Sequence, residues 1–261
     1  MKEAFWTPSM FNFLNSKSKD PGITVILCAY DRPHVLDEQV KAIKDQSVPV
    51  SDIWLWYNKG DKPQVDVPGL KTAMCNHNFK FFGRFAFAML AQTEYVAIFD
   101  DDTIPGKNWF KHCLEHINKL NGLLGTTGIQ LRKKMYGNHI KVGWNGTNGN
   151  NETTQAVDLI GHAWFLKKEW LKYMWFEEPV SWDNGEDIHL SYSIKKFGNI
   201  ESYVIPHPTN DLSVWGSTKG SDYGSDENAS WKKHRNKHFQ LRNKIVKDLI
   251  ARDWCPIFLK K

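Results

Sequence analysis

The amino-acid sequence predicts an α/β fold, a single Rossmann-like domain with a mostly parallel central sheet and a more irregular second half. Short apolar runs typical of buried strands alternate with segments of helical periodicity through residues 21–120. The order strand, helix, strand, helix, strand favours right-handed parallel crossovers. Three consecutive carboxylates, Asp100, Asp101 and Asp102, directly follow one predicted strand, and open α/β sheets bind ligands at the carboxyl ends of their strands.

The first half of the domain contains three predicted strands and three predicted helices. The strands are runs rich in β-branched and aromatic residues at 23–29, 53–57 and 95–99, and the helices lie near 35–43, 79–91 and 108–120. Asp31 can cap the first helix, with Pro33 in its first turn. Residues 61–71 contain prolines and predict a loop.

The second half has a less regular pattern. Strands are predicted at 125–131 and 202–205, a helix at 186–197, and an apolar run at 157–166 that Gly161 and His162 interrupt. Residues 137–154 and 216–230 are rich in glycine and polar residues, so they predict a mobile loop and a candidate lid. A surface arm at 1–20 precedes the domain, and a basic helix at 231–252 forms most of the tail, residues 231–261.

Composition and charge narrow the function classes. With 261 residues, of which 41% are hydrophobic, the chain can bury one large core. Its 12 tryptophans exceed what such a core needs, and flat rings stack well on sugars and bases. The net charge of +5 suits an anionic small molecule and is too weak to indicate nucleic acid. The four cysteines lack CxxC spacing, which argues against both zinc and a disulfide framework.

The expected location is the cytoplasm. Residues 1–8 lack the apolar core of a signal peptide, and no stretch approaches the ~20 apolar residues of a membrane span. Three glycosylation sequons begin at Asn145, Asn151 and Asn228, and we expect them to be unused without a secretory signal. The pattern therefore predicts a soluble protein with no signal peptide or membrane anchor.

The triple acid at 100–102 needs a counter-charge or water. Three adjacent negative charges cannot be buried unpaired, because each would cost several kcal/mol or take up a proton. They must face solvent, as in an ordinary acidic turn, or hold a cation. Carboxylate oxygens at this edge of a sheet suit Mg²⁺ or Mn²⁺ shared with substrate phosphates.

Four segments together resemble the GT-A-fold glycosyltransferases, and within them the exostosin-like enzymes and the xylosyltransferase of large algal viruses. The segments are 27–33 (LCAYDRP), 84–103, 159–165 (LIGHAWF) and 184–188 (NGEDI). They occur in the family's order and at fitting spacings across about residues 22–210. The resemblance implies a GT-A fold, a UDP-sugar donor, Mn²⁺ or Mg²⁺ as cofactor, and a carbohydrate hydroxyl as acceptor.

By this resemblance, residues 21–120 form the nucleotide-binding half and residues 121–230 the acceptor half. The donor-binding residues that it implies in the first half are Ala29, Tyr30, Arg32, Asn58, Asn78 and Arg84. Their chemistry fits this role. Tyr30 offers a face for uracil, Asn58 has both a donor and an acceptor for a base edge, and Arg84 is a fork for phosphate oxygens.

The same resemblance assigns a metal site. Asp102, the last acid of the motif, would contact the cation, with His207 between two prolines as a further ligand. Asp100 would hold the ribose or the donor sugar, and Asp101 would assist through water or sugar contacts. Imidazole suits Mn²⁺, whereas the commoner role of a single histidine is structural.

The acceptor side is assigned to the start of the helix at 186–197. Asp187 would be the general base in an inverting enzyme, or would position the sugars in a retaining one. Acids at a helix start are also ordinary capping residues. The residues that the resemblance places around the acceptor and the transferred sugar are Trp182, Asp183, Glu186, Gly161 and His162.

The leading hypothesis is a metal-dependent transferase that moves a sugar, with xylose favoured, from a UDP-sugar with inversion. A retaining N-acetylhexosaminyltransferase is the alternative within the family. A nucleotidyltransferase fits less well, because the loop at 28–33 contains no glycine. A carbohydrate-binding module would use the tryptophans without needing the acids. The basic tail could bind nucleic acid, but closure over a diphosphate explains the same charges, so neither nucleic acid nor a membrane is an expected partner.

Overall fold

The computed structural model describes residues 20–30, 32–58, 67–143, 151–224, 232 and 235–260. The predicted arm, except residue 20, lies outside these residues, as do Asp31 and parts of the two predicted mobile segments, 144–150 and 225–230. The described part forms a nine-stranded sheet with helices packed against it. The predicted α/β class is therefore confirmed.

Four strands form the parallel half of the sheet. They are β1 (Asp20–Ala29), β2 (Asp52–Tyr57), β3 (Lys71–Met74) and β4 (Thr93–Phe99), in the order β3-β2-β1-β4. In register, Val25 of β1 pairs with Ile53 of β2 on one side and with Ala97 of β4 on the other. The helices between and after these strands are α1 (Pro33–Lys44), α2 (Gly83–Ala88) and α3 (Trp109–Leu120).

The other five strands form a mixed half. They are β5 (Leu123–Gln130), β6 (Ile140–Val142), β7 (Gln155–Val157), β8 (Leu159–Lys167) and β9 (Ser202–Val204). β8 lies between β4 and β5 and runs antiparallel to both. The start of β8 therefore lies beside the end of β4, which places Gly161 and His162 at the edge where the triple acid follows β4.

Three further helices complete the described chain: α4 (Glu186–Gly198), α5 (Gly220–Tyr223) and α6 (Arg235–Ala251). Short 3₁₀ helices occur at Lys168–Trp175, Leu212–Val214 and Ile257–Leu259. Among the helices in the described ranges, none combines the length and the apolar character needed to cross a bilayer.

Two apolar clusters hold the elements in place. The larger one lies between the sheet and the helices packed on it. It includes the ring of Phe99, whose centroid lies 5.2 Å from that of Trp109 on α3. The second lies between α4 and α6 and includes Tyr192, Ile245 and Leu249, all of them buried. This second core fastens the tail helix α6 against α4, so residues of the tail reach the start of α4.

Some element boundaries differ from the prediction. The sequence does not predict β3, because three of its four residues are exposed and form no apolar run. The helix predicted at 79–91 is shorter in the structure, where it is α2. The Asn58 and Asn78 side chains accept hydrogen bonds from the backbone N–H groups of Phe79 and Lys80 and hold a turn there, so the helix begins later. The predicted loop at 137–154 contains β6, which pairs with β5.

The predicted interruption at Gly161 and His162 is an irregularity within a continuous strand. β8 runs from Leu159 to Lys167, and its pairing with β5 shifts register between Gly125 and Thr127. Such a bulge turns side chains and is common next to functional sites. The helices α3 and α4 and the strand β9 lie within a few residues of their predicted positions.

Candidate active site

The triple acid lies at the edge where the parallel strands β1, β2 and β4 end. The Asp100 N–H donates to the carbonyl oxygen of His162 at 2.8 Å, which joins the acids to the bulge in β8. His162 has a φ of +66°. A positive φ is uncommon for a residue with a side chain and is found preferentially at functional sites.

Asp100, Asp102 and His162 form a cluster in which one potential ligand atom from each residue lies within 4.8 Å of the other two. His162 Nδ1 is 3.7 Å from Asp102 Oδ1 and 4.0 Å from Asp100 Oδ2. Burial opposes ionisation of Asp102, but His162 and then Arg32 outweigh it and lower the pKa of Asp102 to about 2. Asp102 is therefore ionised at neutral pH. Two carboxylates and an imidazole fit a divalent cation such as Mn²⁺.

Asp101, the middle acid, has an arginine as its partner. Arg32 Nη1 donates to Asp101 Oδ1 at 2.6 Å and lies 3.8 Å from Asp102 Oδ2. Burial raises the pKa of Asp101 to about 6, although the Arg32 charge opposes this rise. Arg32, which the resemblance assigns to uridine, thus contacts two of the three acids in this structure.

Arg84 connects the acids to the start of α4. Its buried guanidinium donates to Asp100 Oδ1 through Nη1 and to Glu186 Oε1 through Nη2, the latter at 3.2 Å. Its Cζ lies 4.9 Å from the ring centroid of Trp164. Burial and then the Asp187 charge raise the pKa of Glu186 to about 7, against the effect of Arg84. The predicted donor and acceptor sides therefore share one buried charge network.

Asp187 forms an ion pair that the sequence does not predict. Arg242 Nη2 of α6 donates to Asp187 Oδ2 at 2.5 Å, and Arg242 Nη1 donates to Asn184 Oδ1 at 2.9 Å. The Arg242 guanidinium also lies over the Tyr136 ring, 4.2 Å from its centroid. The only sequence signal for Arg242 is the basic character of the tail, and that pattern does not single out one residue.

Gly185, immediately before α4, permits the close packing of α6. Its φ is +87°, and a Cβ at this position would lie only 2.4 Å from Ile245 Cδ1. Glycine alone accepts this conformation and this approach without strain. The backbone before α4 therefore favours glycine, and the end of the Ile245 side chain packs directly against it.

The predicted uridine-binding residues meet beyond the ends of β1 and β2. Asn58 Nδ2 donates to Asn78 Oδ1 at 3.0 Å and to the Lys80 carbonyl oxygen at 2.7 Å. Tyr30 is 37% exposed, whereas Ala29 is buried at the end of β1. The Tyr30 ring is therefore accessible to a stacking base. The Asn58 and Asn78 side chains are joined by a hydrogen bond.

The predicted acceptor residues Trp182 and Asp183 are both exposed, just before α4. The Trp182 ring packs edge-on against the Phe82 ring at a centroid distance of 5.0 Å, yet 51% of its surface stays accessible. Gly161 lies on the bulged strand, where its carbonyl oxygen accepts from Thr127 Oγ1 at 3.1 Å. An exposed tryptophan beside Phe82 offers a flat apolar surface of the kind on which sugars stack.

His207 lies outside the cluster of acids. Its Nδ1 donates to the Ile205 carbonyl oxygen at 2.8 Å, and its Nε2 accepts from the Gly216 N–H at 3.4 Å. Burial lowers the pKa of His207 to about 4, so the ring is neutral. Coordination by Nε2 would require the loss of the Gly216 hydrogen bond, and the metal-ligand role of His207 stays a prediction.

The described part of the candidate lid, residues 216–224, ends beside the acids. A Cβ added at Gly224 would be 3.3 Å from Asp102 Oδ2. Glu38 of α1 accepts a hydrogen bond from the Tyr223 hydroxyl at 2.5 Å and forms an ion pair with Lys219. These contacts attach α5 to α1 beside the cluster. Residues 225–230 of the candidate lid lie outside the described chain.

Comparison with known proteins identifies related folds. No family model matches the chain, and no curated protein matches it in sequence. Among solved structures, the chain is similar to S. aureus TarS 1–349 in complex with UDP, with a TM-score of 0.52 and 14% identity over 72% of this chain and 58% of that fragment. The same TarS fragment with UDP-GlcNAc has a TM-score of 0.50 and 14% identity over 74% and 60%.

A second similar structure is GalNAc-T7 with UDP, GalNAc and Mn²⁺, with a TM-score of 0.58 and 12% identity over 92% of this chain and 55% of GalNAc-T7. The chain thus spans less than two thirds of the length of these proteins. At such low identities the likeness shows the fold, and this fold is GT-A. The closer likeness to exostosin-like and viral enzymes stays a prediction.

Proposed function

We propose that this protein is a metal-dependent glycosyltransferase that uses a UDP-sugar donor and a carbohydrate acceptor. The observation that carries the proposal is the cluster of Asp100, Asp102 and His162 at the carboxyl edge of the parallel strands. The solved structures of similar fold support it, since TarS was solved with UDP and with UDP-GlcNAc, and GalNAc-T7 with UDP, GalNAc and Mn²⁺.

In the proposed enzyme, Asp102 and Asp100 hold Mn²⁺ or Mg²⁺, with His162 beside them. The bound cation would neutralise charge on the diphosphate leaving group. Arg32 and Arg84 add positive charge next to the same acids. A guanidinium that leaves its carboxylate partner is suited to form a bidentate hydrogen bond with two phosphate oxygens.

A metal test addresses this proposal most directly. Calorimetric titration of UDP should show binding that requires Mn²⁺ and that Asp102→Asn weakens strongly, because the cation would lose one of its two carboxylate ligands. Asp248→Asn removes an exposed carboxylate on α6 and serves as the matched control with unchanged affinity. Equal UDP affinity of the wild type with Mn²⁺ and with excess EDTA would overturn the proposal.

The acceptor hydroxyl needs a base, and the two acids that begin α4 are the candidates. We keep Asp187 as the proposed base of an inverting reaction. Both of its oxygens are engaged, one by Arg242 and the other by the Ile188 N–H. Glu186 has a pKa near 7, which suits a general base at neutral pH. Glu186 is therefore the second candidate for this role.

Single substitutions test which of the two acids, Asp187 or Glu186, is the general base. Asp187→Asn should lower transfer by on the order of 10²-fold, while UDP affinity changes little, because a base contributes mainly in the transition state. Glu186→Gln is the matched isosteric comparison. Near-normal turnover in Asp187→Asn together with a large loss in Glu186→Gln would transfer the base role to Glu186.

The sugar and the stereochemistry follow from a product assay. Incubation with a panel of UDP-sugars, followed by measurement of UDP release and NMR of the product, should favour UDP-xylose and a β-linked product. Preference for a UDP-N-acetylhexosamine with an α-linked product would indicate the retaining alternative. Pyrophosphate release from a sugar 1-phosphate and UTP would indicate a nucleotidyltransferase, and sugar binding without turnover would indicate a carbohydrate-binding module.

A further inference from the structure

The helix α3 carries a second group of potential metal ligands, apart from the triple acid. His112, Glu115 and His116 are spaced at i, i+3 and i+4, which places them on one face of the helix. One potential ligand atom from each lies within 4.8 Å of the other two. Glu115 is exposed and both histidines are half-buried, so the group is accessible from solvent.

Backbone carbonyl groups fix the orientation of both imidazole rings. His112 Nε2 lies 3.1 Å from the Pro206 carbonyl oxygen, and His116 Nδ1 lies 2.8 Å from the His112 carbonyl oxygen. A carbonyl oxygen can only accept, so these nitrogens carry the hydrogen and donate. In its neutral form each ring therefore keeps a lone pair on its other nitrogen, Nδ1 of His112 and Nε2 of His116.

These hydrogen bonds to carbonyl oxygens are of the kind that metal-binding histidines make. A coordinating imidazole commonly donates its second N–H to a carbonyl or carboxylate, which fixes the tautomer and the direction of the ligand lone pair. Two imidazoles and one carboxylate form a ligand set typical of Zn²⁺ with one position left for water. The acids Asp100 and Asp102, by contrast, provide mainly oxygen ligands, which Mn²⁺ and Mg²⁺ prefer.

We propose that His112, Glu115 and His116 bind a divalent transition-metal ion, with Zn²⁺ preferred, at a site on α3 that is independent of the triple acid. The ion would bridge the first and second turns of α3. It would also hold the His112 ring in its hydrogen bond to Pro206, which precedes His207 in the segment after β9. The site would thereby stabilise the contact between α3 and this segment.

The charge at the site agrees with cation binding. The Glu115 carboxylate lies with the two rings and supplies negative charge beside them. The alternative is that the rings only pack on each other, since their centroids lie 4.5 Å apart at an angle of 66°.

Equilibrium dialysis with Zn²⁺, combined with Co²⁺ absorption spectra, tests the proposal without any assay of transfer. The wild type should bind one more equivalent of Zn²⁺ than His116→Ala or Glu115→Gln, and each variant should lose at least tenfold in affinity for that equivalent. His77→Ala removes an exposed histidine outside the group and should bind as the wild type does. Circular dichroism of each variant checks that the fold is retained.

Two outcomes separate this site from the proposed active site. Asp102→Asn should keep the Zn²⁺ equivalent that His116→Ala loses, and His116→Ala should keep Mn²⁺-dependent UDP binding. Glu115→Gln guards against a folding defect, because Glu115 is exposed. A loss smaller than tenfold in either His116→Ala or Glu115→Gln would overturn the proposal and leave the two rings with a packing role only.

Discussion

Two buried arginines set the charge balance at the start of α4. Arg84 faces Glu186, and Arg242 faces Asp187. An intact buried ion pair contributes little net stability, whereas one that loses a partner leaves a buried charge uncompensated. Replacing either arginine should therefore destabilise the fold more than replacing an arginine at the surface.

Arg242→Met should lower the free energy of unfolding by about 3–5 kcal/mol, because Asp187 would stay buried without its counter-charge. Urea unfolding followed by circular dichroism measures this loss. Arg252→Met is the matched control, since Arg252 is partly exposed and lies 3.9 Å from Glu177. Its loss should stay below about 1 kcal/mol. Equal losses in the two variants would contradict the buried ion pair.

Asp158 makes stability depend on pH. Its Oδ2 accepts from the Leu131 N–H at 2.6 Å, and its Oδ1 accepts from the Ile257 N–H at 2.7 Å. Burial raises the pKa of Asp158 from 3.8 to about 6, against the effect of these two bonds. The folded state therefore holds the proton more tightly than the unfolded state. The stabilisation from this proton is complete below pH 3.8 and is lost as the pH rises through 6.

Asp158→Asn should remove this proton-linked contribution. The free energy of unfolding of the wild type minus that of the variant should fall by roughly 2.5 kcal/mol between about pH 4 and about pH 7. Urea titrations of both proteins across that range give the difference directly. A difference that stays constant or increases with pH would contradict the raised pKa.

Single residues of the site are only partly predictable from the sequence. The triple acid is identified because three adjacent carboxylates after an apolar strand need a cation or water. The place of His162 beside Asp102 depends on β8 lying antiparallel next to β4, and no local pattern encodes that pairing. Arg242 reaches Asp187 through the packing of α6 on α4, which is equally non-local.

At the scale of elements, the junction of α4 and α6 depends on Gly185. Gly69 offers a matched comparison, since its φ is +86° but a Cβ there would have no atom within 4 Å. Gly185 has almost the same φ, but a Cβ there would lie 2.4 Å from Ile245 Cδ1. The backbone cost of alanine should therefore be similar at the two positions, and the steric cost should differ.

Gly69→Ala should lower the free energy of unfolding by about 1–2 kcal/mol, the cost of a positive φ for a residue with a side chain. Gly185→Ala should cost about 1 kcal/mol more, because the end of the Ile245 side chain must leave its preferred rotamer to make room. Thermal or urea unfolding of the two variants measures the difference. Equal losses would show that α6 does not pack against Gly185 as closely as the structure indicates.

Elements are predictable where burial creates a pattern. β1, β2 and β4 are buried enough to appear as apolar runs, and α3 has a clear apolar face. β3 and β6 are short strands with mostly exposed residues, so the alternation and the apolar content that mark a strand are missing. The shortened α2 reflects side-chain bonds from Asn58, which precedes it by more than twenty residues.

At the scale of the whole molecule, residues 216–224 connect the two halves beside the acids. Glu38 of α1 belongs to the parallel half, and Lys219 and Tyr223 follow the mixed half. The contacts of Lys219 and Tyr223 with Glu38 are partly exposed, so water competes with them and residues 219–224 can open locally. Thr218, just before them, is held by its N–H bond to the Ile104 carbonyl oxygen at 2.8 Å. Opening would uncover Asp102, which Gly224 approaches.

Glu38→Gln should speed amide hydrogen exchange in residues 219–224, because the ion pair to Lys219 is lost while the fold remains. UDP with Mn²⁺ should slow exchange in the same residues of the wild type. Asp52→Asn is the control, since it removes another exposed ion pair, to Lys71, at a distance along the chain. Exchange that neither Glu38→Gln nor UDP with Mn²⁺ alters would show that these residues are not a lid.

The position of β4 between β1 and β8 has a consequence for folding. β4 pairs Ala97 with Val25 on one side and with Phe165 on the other, and both partners are far away in the sequence. Bringing such distant segments together costs chain entropy before their contacts can stabilise the sheet, so sheets of this kind form slowly. A nascent chain that has reached only α3 can complete the parallel strands but leaves the second edge of β4 unpaired. That apolar edge is the part of the folding chain most open to aggregation until β8 has been made.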